Sequence, residues 1–300
     1  MPGKIILVTG TSSGFGNLAV LHLAKAGHTV YASMRQLESK NAQVATDYKD
    51  FCAKNSVDIR PLELDVSEQK SSDEAIKRII SESGRLDVIV HNAGHMCFGP
   101  LESFTAEELA RYYDINTLGP HRVNSAALPH MRKAGTGQLV WIGSSSTSGG
   151  TPPFLGPYFA AKSGMDSLAV SYASELSKWG ISTTIVVPGV FTSGTNHFAH
   201  AGKGSKQAIE KAYFEGPYHG VAERSMKGME KGDAEGDVTD VAKAVVDVVG
   251  ARQGKAPFRV HIDPWNDGAE NVNKVRDQMR VKWHQKTGLE DLLQVKAPGA

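Results

Sequence analysis

Three side chains between Ser145 and Lys162 have the types and spacing that acid–base chemistry needs. Tyr158 and Lys162 are four positions apart, so a helix places them one above the other on the same face. An ammonium beside a phenol stabilises the phenolate, which should move the tyrosine pKa from its usual ~10 toward neutral pH. Tyr158 is therefore a candidate general acid or base. Ser145 follows an apolar run thirteen positions before Tyr158, where its hydroxyl could bind a substrate oxygen.

A glycine-rich turn near the N-terminus predicts a site for nucleotide phosphates. The apolar run 5–8 is typical of a buried parallel strand, and a helical pattern follows the turn. Between them, Gly10, Gly14 and Gly16 would let the backbone approach a pyrophosphate at the N-terminus of that helix. The glycine spacing differs from the most general dinucleotide fingerprint, so an ordinary flexible loop is the alternative interpretation.

The end of the next predicted strand, 28–33, indicates which nicotinamide cofactor is preferred. In dinucleotide folds an acidic residue at this point binds the ribose hydroxyl of NAD, whereas an arginine accommodates the 2′-phosphate of NADP. Met34 stands where the acid would be, and Arg35 follows it. This pattern favours NADP(H), with NAD(H) as the second choice. The alternative is an arginine that merely begins a loop.

Strand and helix patterns alternate along the chain and predict a parallel sheet built from βαβ units. No internal repeat or linker divides the sequence, so we expect one NAD(P)-binding domain over residues 1–300. Residues 190–236 have no clean periodicity, which is typical of a lid over a substrate. Residues 263–300 form a polar C-terminal extension with a helix predicted over 270–284. Further strands are predicted at 57–64, 86–90, 139–142, 181–187 and 258–262.

Composition and charge argue against several classes of protein. The 300 residues carry 33 Lys and Arg against 32 Asp and Glu, a formal charge of +1 that predicts neither a nucleic-acid nor an anionic-membrane partner. The cysteines, Cys52 and Cys97, make no disulfide framework. There is no signal-peptide pattern and no apolar run of membrane-spanning length, so we expect a cytoplasmic protein. His197 and His200 are three apart but lack further ligands nearby, so no metal is expected.

Together, the motifs resemble those of the short-chain dehydrogenase/reductase family, in its compact single-domain form. Each motif is common by chance, the Tyr158–Lys162 pair included, whereas the ordered set is specific. The resemblance extends over residues 4 to about 193 and implies a Rossmann-like, doubly wound α/β sheet of about seven parallel strands with helices on both faces. The matching motifs are Thr9-Gly10-x-x-x-Gly14-x-Gly16, Asp65, Asn92-Ala93-Gly94, Asn116, Ser145, Tyr158-x-x-x-Lys162 and Pro188-Gly189.

The resemblance also implies roles for these positions. Tyr158 would exchange a proton with the reacting oxygen, Lys162 would lower the tyrosine pKa, Ser145 would bind that oxygen, and Asn116 would hold a water linked to Lys162. Assembly into a homodimer or homotetramer is a further implication. The expected cofactor-binding residues, besides Tyr158 and Lys162, are Gly10, Thr11, Ser12, Ser13, Gly14, Phe15, Gly16, Arg35, Asp65, Val66, Asn92, Ala93, Gly94, Pro188, Gly189, Val190 and Ser193.

Apolar and aromatic residues near these motifs predict a hydrophobic substrate, either a ketone, an aldehyde or an alcohol. The main candidates for substrate contact are His95, Met96, Phe154 and Phe191. The predicted function is that of an NADP-dependent oxidoreductase that interconverts a carbonyl compound and an alcohol by hydride transfer. Two other functions stay open: an NADP-binding regulatory or scaffold protein without turnover, and an NADP-dependent epimerase or dehydratase. A wider set of candidates with the same character comprises Phe98, Leu155, Phe198, Tyr213 and Phe214.

Overall fold

The computed structural model describes residues 3–195, 198, 200–233 and 236–296, and its centre is a sheet of seven parallel strands. The order across the sheet reverses at one point, between the first and the fourth strand along the chain. In such sheets ligands bind in the crevice outside the carboxyl ends of the strands at the reversal. In chain order the strands are β1 (Ile5–Thr9), β2 (Thr29–Met34), β3 (Asp58–Glu63), β4 (Val88–His91), β5 (Gly137–Ile142), β6 (Ile181–Pro188) and β7 (Arg259–Ile262), arranged as β3-β2-β1-β4-β5-β6-β7.

Helices connect the strands and cover both faces of the sheet, which confirms the predicted Rossmann-like, doubly wound α/β fold. Short 3₁₀ turns lie at Ser145–Thr147 and at Glu290–Leu293, among other places. The α-helices are α1 (Gly14–Lys25), α2 (Ala42–Asn55), α3 (Gln69–Ser83), α4 (Ala106–Tyr113), α5 (Gly119–Ala134), α6 (Gly156–Glu175), α7 (Gln207–Phe214), α8 (Val221–Asp233), α9 (Thr239–Gly250) and α10 (Ala269–Thr287).

Two apolar clusters, one on each face of the sheet, make up most of the core. Successive side chains of a strand point to opposite faces, so Ile6 and Val8 of β1 join one cluster while Ile5 and Leu7 join the other. Helices α1, α2 and α9 cover the first face, and α3, α5 and α6 cover the second. Because both faces are covered, central strands such as β1 and β4 are almost entirely apolar runs in the sequence.

The chain between α4 and α5 forms a π-helical stretch, Asp114–Leu118. The regular α-helical pattern is therefore interrupted around Asn116. Such single wide turns occur frequently at functional sites. Here the wide turn directs the buried side chain of Asn116 toward the loop after β4, where it contacts the backbone of His95.

Helices lie in the predicted lid, residues 190–236, and in the C-terminal extension, where little or no regular structure was predicted. Within residues 190–236 lie α7 and α8, and Met229 of α8 is 3% exposed. The predicted C-terminal helix is present as α10 and is slightly longer than expected. It packs beside α6 and the turn at 145–147. Among the described residues, no helix is both long and apolar enough to cross a membrane.

Candidate active site

A groove runs along the carboxyl ends of β1, β2, β3 and β4, and most of the predicted cofactor-binding residues line it. The glycine-rich turn supplies one wall, and the N-terminus of α1 lies beside it. A groove of this kind can hold the pyrophosphate of a dinucleotide. The predicted residues that line it are Gly10, Ser12, Ser13, Gly14, Phe15, Arg35, Asp65, Val66, Asn92, Ala93 and Gly94.

The glycine-rich turn has space only for glycine at two of its positions. Gly10 has a φ of +70°, and a Cβ atom there would lie 2.7 Å from Cα of Ala93. A Cβ atom on Gly16 would lie 2.3 Å from Nδ2 of Asn92. That amide donates to the carbonyl oxygens of Thr9 and Gly10, both at 2.9 Å. The turn is therefore fixed against the loop after β4, with its backbone open to the groove.

Two predicted cofactor-binding residues, Thr11 and Gly16, do not line the groove. Thr11 is fully buried; its hydroxyl donates to the carbonyl of Ser33 at 3.1 Å, and its own carbonyl accepts from Tyr48 at 2.7 Å. Gly16 lies behind Asn92, as described above. Both residues support the shape of the turn rather than facing a ligand.

The adenosine end of the groove carries two cationic residues, Arg35 and Lys40. The side chain of Asn41 donates to the carbonyl of Arg35 at 2.6 Å and fixes the loop that holds both cations. Lys40 and Asn41 also line the groove and were not predicted. The sequence does show a short polar stretch after Arg35 that contains Lys40. However, only the folded loop shows that this lysine lies beside the groove.

A second cavity, the catalytic pocket, continues the groove between β4, β5 and β6. Phe15, Asn92, Gly94, His95 and Met96 line both cavities, which makes them one continuous site. The predicted residues Ser145, Tyr158, Lys162, Pro188, Gly189, Val190 and Phe191 line the pocket. Most of its remaining wall is apolar and comprises Ile142, Pro152, Leu155, Phe159, Phe198 and Met229.

Tyr158 and Lys162 share the first turns of α6, but the ammonium does not lower the phenol pKa in this geometry. Burial dominates and raises the pKa of Tyr158 to about 12. Nζ of Lys162 donates to the carbonyl of Ile142 at 2.8 Å and lies 5.9 Å from the centre of the tyrosine ring. Burial also lowers the pKa of Lys162 to about 8. The tyrosine is thus a protonated acid at neutral pH.

Ser144 lies close enough to Tyr158 for its hydroxyl to oppose part of the rise in the tyrosine pKa. Ser145, the predicted residue, is 4% exposed and also lines the pocket. Both serines therefore face the pocket, and the role of Ser145 stays a prediction.

Asn116 is fully buried and lies behind the catalytic pocket instead of in its wall. Its amide donates to the carbonyls of His95 at 3.0 Å and Tyr112 at 2.9 Å, and Oδ1 accepts from the backbone of His95 at 3.2 Å. Gly94 lies between Asn116 and Lys162. A Cβ atom added to Gly94 would lie 2.7 Å from Oδ1 of Asn116 and 3.6 Å from Nζ of Lys162.

Of the predicted substrate residues, His95, Met96 and Phe191 line the site and Phe154 does not. Phe154 has a φ of +76°, which turns its ring away from the pocket into edge contacts with Phe98, Phe214 and Tyr218. Its neighbours Pro152 and Leu155 contribute to the wall instead. From the wider set, Leu155 and Phe198 line the pocket, whereas Phe98, Tyr213 and Phe214 do not.

Ser193, predicted to contact the cofactor, is exposed and does not line either cavity. His197, which was considered as a metal ligand, lies outside the described residues. Within the described residues there is no group of three or more His, Cys, Asp or Glu side chains that could hold a metal ion.

Comparison with known proteins agrees with this geometry. The family model for short chain dehydrogenase matches residues 4–204. The chain belongs to this family. Its members interconvert alcohols and carbonyl compounds, and the protein is an oxidoreductase of that type. A similar curated relative is 3-ketodihydrosphingosine reductase of Bacteroides thetaiotaomicron, 31% identical over 264 residues that cover 88% of this chain and 89% of the relative.

Solved structures of the family share the fold. A short-chain dehydrogenase from Streptomyces avermitilis has a TM-score of 0.71 and 27% identity, over 95% of this chain and 98% of that one. An alcohol dehydrogenase from the archaeon Thermococcus sibiricus, solved with 5-hydroxy-NADP, has a TM-score of 0.68 and 21% identity, over 87% of this chain and 96% of that one. The second likeness concerns the fold alone.

Proposed function

We propose that the protein is an NADPH-dependent reductase that converts a bulky, uncharged, apolar carbonyl compound into an alcohol, with Tyr158 as the proton donor. The observation that carries the proposal is the protonated Tyr158 in an apolar pocket that opens directly into the glycine-lined groove. When bound in the groove, the nicotinamide would supply a hydride. The groove residues fit such a cofactor because the glycine-rich turn leaves its backbone open beside the N-terminus of α1.

The catalytic residues supply position and a proton. With a pKa of about 12, Tyr158 keeps its proton at neutral pH and can give it to a carbonyl oxygen as negative charge develops there. The hydroxyl of Ser144 lies beside the phenol, so an oxygen placed between the two would accept hydrogen bonds from both hydroxyl groups. We assign the oxygen-binding role to Ser144, with Ser145 as the alternative.

Lys162 would restore the proton of Tyr158 after each turnover. Its pKa of about 8 lets it change protonation state near neutral pH. Asn116 is separated from it by Gly94 alone and would hold the route between Lys162 and solvent. The reverse reaction, alcohol oxidation, needs a phenolate, and the high pKa of Tyr158 disfavours it at neutral pH.

The pocket favours a neutral apolar substrate. None of the described residues in its wall is a carboxylate, and the wall includes Met96, Leu155, Phe159, Phe191 and Met229. The similarity to 3-ketodihydrosphingosine reductase supports a ketone as the substrate. Because none of the described residues in the pocket wall is acidic, an amino group on the substrate would have no acidic partner there.

NADPH is the proposed cofactor because Arg35 and Lys40 both lie at the adenosine end of the groove. Two cations there would bind a 2′-phosphate through charge-assisted hydrogen bonds.

The proposal is tested by NADPH consumption against ketones and aldehydes of increasing apolar bulk, with the alcohol product identified. The ratio kcat/KM should rise by about fourfold for each added methylene until the pocket is filled, because burial of one methylene contributes ~0.8 kcal/mol. A ketone of matched size that carries an amine serves as the control and should react more slowly. Tight NADPH binding without turnover would favour a regulatory protein, and isomerisation without net NADPH consumption would favour an epimerase.

A further inference from the structure

The loop that carries the catalytic serine, residues 144–150, is held from outside by α10. The hydroxyl of Ser148 donates to Oδ1 of Asn273 at 2.7 Å and accepts from Nη1 of Arg276 at 2.8 Å. Arg276 also donates to Oδ1 of Asn273 at 3.2 Å, so the three side chains form a closed set of hydrogen bonds. Asn273 is fully buried. We name this set the serine-loop clamp.

The clamp is anchored in a buried group of charges. Nη2 of Arg276 donates to Oδ2 of Asp166 at 3.1 Å, and Arg259 of β7 hydrogen-bonds the other oxygen of that carboxylate. Arg259 also donates to Asp277 of α10 at 3.0 Å. The side chains of Asp166 and Arg259 are 2% and 4% exposed. Buried charges with this many partners hold one geometry, because loss of any partner leaves an unpaired charge.

The buried charges connect the serine-loop clamp to α6, the helix that carries Tyr158 and Lys162. Asp166 lies four residues after Lys162, one turn further along α6. Ser148 lies four residues after Ser144, and its N–H donates to the carbonyl of Ser145 at 3.0 Å. Through Arg276, therefore, α10 contacts both the helix that carries Tyr158 and Lys162 and the loop that carries Ser144.

We propose that Asn273 and Arg276 of α10, acting through Ser148, position the Ser144 hydroxyl at the correct distance from Tyr158. The inference rests on the proposed function, in which these two hydroxyl groups bind one substrate oxygen. Ser148, Asn273 and Arg276 are positioning residues and line neither cavity. The family model matches residues 4–204, so α10 lies in the part of the chain beyond that match. Through the serine-loop clamp, a segment outside the matched region therefore holds the catalytic loop in place.

The first test compares three variants and a matched control variant in steady-state kinetics. Ser148→Ala and Asn273→Ala should lower kcat by about 10- to 100-fold, the effect of a small misplacement of a catalytic group. The NADPH dissociation constant should stay unchanged. Asn273→Asp keeps the acceptor for Ser148 and Arg276 and should retain most of the activity. Asn271→Ala, at an exposed position of the same helix, is the matched control and should behave as wild type.

A double-mutant cycle separates positioning from general stability. In a Ser144→Ala background, Ser148→Ala should have almost no further effect on kcat, since the residue that it positions is absent. An undiminished effect of Ser148→Ala in that background would overturn the proposal. So would wild-type kcat in both Ser148→Ala and Asn273→Ala.

Hydrogen–deuterium exchange gives a readout that does not depend on activity. Asn273→Ala should speed exchange in peptides covering residues 144–150 and leave those of the glycine-rich turn at 9–16 unchanged. If wild type reduces no carbonyl, the proposed function fails, and exchange alone decides whether α10 holds the loop. Unchanged exchange at 144–150, or faster exchange throughout the protein, would contradict the clamp.

Discussion

The cofactor groove and the catalytic pocket form one site but are built in different ways. The groove is made from turns that directly follow β1, β2, β3 and β4, and its shape depends on backbone conformation and glycine at positions such as Gly10. The pocket is assembled from the loop after β5, the start of α6, the segment after β6 and Met229 of α8. Its outer support comes from α10, more than a hundred residues away in sequence from the loop that it holds.

This difference separates binding from chemistry. The groove offers backbone N–H groups and two cations, Arg35 and Lys40. The pocket holds Tyr158, whose pKa burial raises to about 12, and Lys162, whose pKa burial lowers to about 8. Substitutions in the pocket should therefore change turnover, and substitutions in the groove should change cofactor affinity.

The largest effect is expected for Tyr158→Phe, which removes the proton donor and keeps the ring. We expect kcat to fall by about 10³-fold, within the range for loss of general acid catalysis. NADPH affinity, measured by fluorescence titration, should stay within about twofold of wild type because the groove is untouched. A large loss of affinity would show that the two regions are not separable.

A smaller loss of kcat is expected for Ser144→Ala, and its comparison with Ser145→Ala distinguishes the roles of these two serines. Ser144→Ala should lower kcat by about 10²-fold, as for loss of one hydrogen-bond donor to a developing oxyanion. Ser145→Ala, the matched control at the neighbouring position, should lower it much less. Initial rates at saturating NADPH provide the comparison. The reverse order of effects would return the role to Ser145.

In the groove, Arg35→Gln should reduce the preference for NADPH over NADH by ~1–3 kcal/mol, the value of a charge-assisted contact to the 2′-phosphate. Lys40→Gln should have a smaller effect in the same direction. The dissociation constants of both cofactors provide the measurement, and kcat at saturating NADPH is the control and should not change. Equal preference in wild type and Arg35→Gln would remove Arg35 from this role.

The pH dependence of reduction should reflect Lys162. Below its pKa of about 8 the lysine carries the proton that it would return to Tyr158. As the pH rises through about 8 the proton is lost, while Tyr158, with a pKa of about 12, stays protonated. At pH 9 the rate should be about a tenth of its maximum, as for one ionisation. A rate that stays constant to pH 10 would contradict this assignment.

Much of the fold could be predicted because its signals are local. Local patterns of apolar residues marked all seven strands to within two residues at either end, for example 181–187 against the observed Ile181–Pro188. The glycine-rich turn was predicted for the same reason, since its glycines, the strand before it and the helix after it are contiguous. Most of the residues predicted to bind the cofactor line the groove or the pocket.

The features that sequence did not predict depend on contacts between distant parts of the chain. Spacing alone could not reveal that Ser144 lines the pocket beside Ser145. The left-handed conformation of Phe154 turned a predicted substrate contact into a packing contact. Met229 and Lys40 came to the site through helices and loops whose positions no local pattern specifies. Homodimer or homotetramer assembly and a cytoplasmic location stay predictions; light scattering tests the first.

The most direct test of the central claim follows the hydride itself. Wild-type protein is given an apolar ketone and NADPH that carries deuterium at the transferable position of the nicotinamide ring. If NADPH supplies the hydride and Tyr158 the proton, we expect wild type to form an alcohol with deuterium on its carbinol carbon, and Tyr158→Phe to form almost none. An alcohol without deuterium, or labelled alcohol formed by Tyr158→Phe at the wild-type rate, would contradict it.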